Sequence, residues 1–90
     1  QEYTSAIGIL NEIEELINQQ DYENMKADVI RAICPAQAFC YYQTGHKAEF
    51  MHYLQMSIML NPQDTQFFFR DVFPKGARPE DYPYYADRLE

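Results

Sequence analysis

Two histidines and two cysteines are the residues of this chain with the strongest intrinsic capacity for metal binding or nucleophilic chemistry. His46 and His52 lie six positions apart, so a helix turns about 600° between them and they cannot chelate one ion as a four-spaced pair does. Cys40 with His46 has the same interval and the same difficulty. Cys34 and Cys40 fall on different faces of a helix, out of bridging position, and read as free, buried, structural thiols. Glu12, Glu14 and Glu15 bring three carboxylates close in sequence without a nearby lysine or histidine, the pattern of a solvated helix face. A Gly-rich phosphate loop, a Gly-x-Ser-x-Gly elbow and a His-Glu-x-x-His helix are all missing. The sequence therefore points away from an enzyme, a metal site or a bound cofactor.

The elements that carry these residues are helical. Ser5 is placed to cap a first helix with Ala6, Ile9, Leu10, Ile13, Leu16 and Ile17 as its buried stripe, and Asn11, Glu12, Glu14, Glu15 and Asn18 on the opposite, wet face. The polar run Asn18–Asp21 ends that helix, and Asp21 caps a second one bearing Met25, Val29, Ala32 and Ile33; the short connection predicts an antiparallel hairpin. Pro35 then either kinks this helix or starts a new one, because proline deletes a backbone donor. Helix resumes from Ala36 to Tyr42 and closes at Gly45.

Lys47 to Leu60 is apolar over most of its circumference, with Glu49, His52 and Gln55 as its one polar stripe, which predicts the central and most buried helix. Asn61-Pro62 stops it. Asp64 caps a short helix with Phe67, Phe68, Phe69, Val72 and Phe73, and Pro74, Gly76 and Pro79 mark a loop. The tail Glu80–Tyr85 holds at most a helical turn. The fold class is thus all-α, with four to five short helices packed as antiparallel hairpins in a single domain over residues 1–90.

From Cys34 to Pro62 the spacing of Ala38, Tyr41, Gly45, Phe50, Leu54, Ser57 and Pro62 resembles one unit of the tetratricopeptide repeat family. The resemblance implies a helical hairpin in which small residues at Ala38 and Ser57 permit close approach, Gly45 makes the turn and Pro62 ends the second helix. It also implies a role in cradling peptides or partner helices. Phe50 departs from the family's alanine, and Cys34 and Gln37 from its tryptophan and leucine. Repeat arrays need about three units to bury their faces, so the resemblance predicts self-association or excision from a longer array.

Charge narrows the partners. The net −7 is concentrated in residues 1–30, where seven acids face Lys26 alone. Phosphate backbones and anionic headgroups are repelled by such a surface, which excludes nucleic acid and membrane. No apolar run reaches the ~18 residues of a membrane span, and two unpaired cysteines suit the reducing cytoplasm. A chain that starts at Gln1 fits a piece of a longer protein.

Two functions suit these features. One is a non-enzymatic protein-interaction module that binds a protein or peptide, or a second copy. The other is a helical C-terminal structural or regulatory region of a larger enzyme such as a glycosyltransferase. Three consecutive phenylalanines cannot all face one core, so Phe67, Phe68 and Phe69 with Tyr84 and Tyr85 form the expected contact patch; alternatively the tail folds back and covers them.

Overall fold

The computed structural model describes residues 2–19 and 23–89. Among them are the helices α1 (Glu2–Asn18), α2 (Glu23–Gln43), α3 (Lys47–Leu60), α4 (Pro62–Phe68) and α5 (Tyr82–Ala86), and no strand. A 3-10 turn at Pro79–Asp81 leads into α5, so the tail is somewhat more ordered than one helical turn. The all-α expectation holds. Asp21, the expected cap of α2, lies outside the described residues, and Ser5 sits inside α1 rather than at its start.

The helices pair in antiparallel fashion. On α1 and α2, Asn11 meets Tyr41 while Glu14 meets Gln37. On α2 and α3, Tyr42 meets Phe50, and Arg31 meets Asn61 at the far end. The turn between α2 and α3 has a clear sequence cause: Gly45 takes φ 78°, the left-handed conformation that costs glycine least. With it, the Gly45 N–H donates to the Tyr42 carbonyl and the His46 N–H to the Tyr41 carbonyl, which closes the last turn of α2.

Pro35 does not start a new helix: α2 runs through it for 21 residues, so not all the helices are short. Without an N–H at Pro35, the Arg31 carbonyl one turn earlier loses its helical partner. Asn61 supplies the replacement, donating from Nδ2 to that carbonyl at 3.0 Å. The freed acceptor is thus taken by a side chain 30 positions downstream, with the Cys34 thiol as a second, weaker donor at 3.7 Å. Asn61 also caps α4, its Oδ1 accepting from the Asp64 N–H at 3.3 Å. The cap thus stands three residues before Asp64, with Pro62 in the first turn, where a missing N–H costs nothing.

The core holds Ala38, Tyr41, Phe50, Leu54, Phe69, Phe73, Tyr82 and Ala86. Ser57 and Thr65, both fully buried, share a hydroxyl–hydroxyl hydrogen bond where α3 meets α4. The central helix is α2, which buries Cys34, Pro35, Gln37, Ala38, Cys40 and Tyr41 and packs on α1, α3 and α4. Sequence hydrophobicity assigned that place to α3, whose predicted polar stripe of Glu49, His52 and Gln55 is indeed exposed, but so are Met59 and Leu60. An apolar helix at the side of a small bundle has too little neighbouring surface to cover its whole circumference. No described helix is long and apolar enough to cross a membrane.

Candidate interaction surfaces

The side of α1 that faces the bundle takes in only half of the expected apolar stripe, Ala6, Leu10 and Ile17, together with Ile7. Asn11 and Glu14, expected on the wet face, are half-buried and join a polar seam between three helices. Asn11 Nδ2 donates to the Tyr41 hydroxyl at 2.9 Å. The fully buried Gln37 donates from Nε2 to Asn11 Oδ1 at 3.1 Å and to Glu14 Oε1 at 2.9 Å. Tyr53, stacked on Tyr41, donates its hydroxyl to the same Glu14 oxygen at 2.9 Å. Every buried side-chain polar atom described has a partner, so the seam meets the condition under which buried polar groups become tolerable.

At 100° per residue, meeting this seam turns α1 by roughly a quarter turn from the orientation its apolar positions favour. Ile17 is buried, and Ile7 and Leu10 are partly covered. Ile9, Ile13 and Leu16 point outward, with 59%, 38% and 57% of their surface exposed. Ile13, Leu16 and Ile17 with Val29 of α2 line a shallow apolar groove between the helices. Met25, one turn before Val29 on α2, is also exposed. Glu2, Glu12 and Glu15 are exposed on the same helix, and none is ion-paired among the described residues.

Burial and the neighbouring Glu14 push the Tyr53 hydroxyl well above the ordinary tyrosine range, burial being the larger cause. The folded state therefore holds Tyr53 neutral. That contribution is fully present below the ordinary tyrosine pKa of about 10 and is lost as pH rises beyond it. Thermal melts are expected to show the native chain losing stability above about pH 10 more steeply than the variant Tyr53→Phe, which has no proton to lose. Tyr82, also pushed up by burial, acts equally in both. Parallel curves would mean that Tyr53 is neither buried nor bound to Glu14 as described.

The five residues of the expected aromatic patch are not brought together. Phe69 is fully buried, packed against Phe39, Tyr42, Phe50 and Phe73 at ring-centroid distances of 5.6 to 6.1 Å, so it belongs to the core and leaves the surface set. Phe68 and Tyr85 are half-buried, while Phe67 and Tyr84 are 62% and 60% exposed. Each of the exposed rings carries an arginine on its face, Arg70 over Phe67 at 4.5 Å and Arg88 over Tyr84 at 4.4 Å. The tail folds onto Phe73, where Tyr82 stacks at 4.2 Å, and leaves Phe67 exposed; Ala86 is buried.

His46 and His52 are both exposed and are occupied locally, His46 by the Thr44 hydroxyl and His52 edge-on to Tyr53. Cys34 and Cys40 are free and buried. Burial raises both thiols, Cys34 to about 11, which keeps them protonated and poorly nucleophilic at neutral pH. Among the described residues no three His, Cys, Asp or Glu side chains converge as metal ligands would. A depression lined by Tyr41, Tyr42, Lys47, Phe50 and Leu89 measures about 90 Å³; two larger surface depressions, of about 490 Å³ beside Arg31, Asn61 and Asp64 and about 530 Å³ beside Phe39, Phe67, Phe68 and Arg70, lie elsewhere on the bundle. No family model, curated protein or solved structure compared with the chain matches it.

Sequence reasoning missed Ile9, Ile13 and Leu16 as surface residues. A signal was present: polar positions three apart on α1, Asn11 and Glu14, face polar-tipped positions four apart on α2, Gln37 and Tyr41. Matched polar pairs at helical spacing on two successive helices mark a shared seam.

Proposed function

We propose that this chain is a non-enzymatic protein-interaction module, a small helical hairpin bundle whose α1 face receives another protein. The observation that carries the reading is the outward stripe Ile9–Ile13–Leu16, continued by the exposed Met25. Apolar residues scattered singly over a surface need no explanation, whereas a contiguous stripe rimmed by polar groups is the usual mark of a binding face. The tetratricopeptide-like plan is part of this proposal. Its support is that Ala38, Tyr41, Phe50, Leu54 and Ser57 are all buried between paired helices, with Gly45 and Pro62 at helix ends.

The variant Ile9→Ser/Ile13→Ser/Leu16→Ser separates a binding face from a structural one. A stripe kept for a partner contributes little to the isolated fold, so the triple variant is expected to melt within about 1 kcal/mol of the native chain, as exposed substitutions do. A loss of several kcal/mol would make the stripe part of the core and end the proposal. A parent reading frame with a catalytic domain seated on α1 would turn the module into an appendage of that enzyme.

A further inference from the structure

Taking α1 as a binding face, we infer that its partner is a basic amphipathic helix of another protein, docked along Ile9, Ile13 and Leu16 with its lysines or arginines over Glu2 and Glu12. The stripe repeats at intervals of four and three, the spacing that another helix's apolar ridge matches. Over these positions it runs about 10 Å along the axis at 1.5 Å per residue. The groove formed by Ile13, Leu16, Ile17 and Val29 offers recesses into which that ridge can insert.

Charge selects among the occupants. Helix α1 carries four glutamates and no basic residue; Glu14 is committed to Gln37 and Tyr53, and the other three stand exposed without an ion pair among the described residues. Two copies meeting through α1 would face glutamate against glutamate, with a net −7 on each chain. An anionic bilayer is repelled for the same reason. A helix bearing apolar residues at three-and-four spacing with basic flanks satisfies both the stripe and its rim, and the acidic rim speeds its arrival.

The test titrates the whole chain with a synthetic amphipathic helical peptide of leucine and lysine, and with its leucine–glutamate twin, by amide chemical-shift mapping. The basic peptide is expected to perturb residues 5–17 and 25–29. The acidic twin should bind at least about tenfold more weakly, and raising salt from about 50 to 300 mM should narrow the gap. Glu2→Gln/Glu12→Gln, which leaves the polar seam untouched, should weaken the basic peptide several-fold without changing the melt. Shifts centred on Phe67 or Tyr84, no shifts from either peptide, or binding to phosphatidylserine vesicles would each overturn the inference. So would a dimer in sedimentation equilibrium that Ile13→Asp dissolves. Equal binding of both peptides at α1 would end the basic-partner inference while leaving the interaction reading standing; unfolding of the triple serine variant would end that reading itself.

Discussion

Replacing Phe69 with alanine is expected to cost about 3–5 kcal/mol, the range for truncating a fully buried phenylalanine, whereas Phe67→Ala should cost less than about 0.5 kcal/mol. The two residues stand at either end of a run of three phenylalanines, and only the fold distinguishes them. Phe69 has no exposed surface and joins rings from α2, α3 and the segment after α4, while Phe67 is 62% exposed. A domain of this size has only about 5–15 kcal/mol of total stability. The cavity left by Phe69→Ala would therefore remove a large part of it. Denaturant melts with a constant slope measure both variants. Equal losses would mean that the α4 helix is turned differently from the arrangement described.

The second large effect is expected at Gln37. In the variant Gln37→Met the size is nearly kept, but Asn11 and Glu14 both lose the donor at 3.1 and 2.9 Å. Leaving half-buried polar groups short of a partner costs about 1–3 kcal/mol, with the charged acceptor toward the upper end. Gln37→Glu should cost more, because it sets a second carboxylate against Glu14. A change below about 0.5 kcal/mol in Gln37→Met would mean that Asn11 and Glu14 are solvated and that α1 presents its apolar stripe to the bundle after all.

Much of the fold was legible in the sequence where the determinants are local. Lys47–Leu60 matches the expected helix residue for residue, because Gly45 sets its start and Asn61-Pro62 its end. Tyr41 and Leu54, two of the spaced positions of the expected helical hairpin, are buried. What sequence periodicity could not supply were the consequences of contacts between distant residues. Pro35 reads as a kink or a new helix start until Asn61 is known to take the Arg31 carbonyl. The orientation of α1 reads as simple amphipathicity until Gln37, Tyr41 and Tyr53 are known to offer partners to Asn11 and Glu14. In both cases side-chain hydrogen bonds over 20 or more positions outweigh a local rule.

For the candidate site the same limit had a sharper effect. The run Phe67–Phe69 attracted attention because three adjacent aromatics cannot share one face, and the fold resolves this by burying one, half-covering another and setting Arg70 over the third. The stripe on α1, by contrast, looked like ordinary core, since a helical wheel reports which side of a helix is apolar and not which side meets its neighbours.

The orientation of α1 is the claim on which both proposals stand, and solvent paramagnetic relaxation of methyl-labelled protein reads it directly. With a soluble, uncharged paramagnetic agent, the methyl signals of Ile9, Ile13 and Leu16 are expected to broaden strongly, while those of Ile17 and Leu54, 8% and 0% exposed, stay sharp. Uniform protection of Ile9, Ile13, Leu16 and Ile17, together with broadening of the Asn11 side-chain amide, would contradict the account.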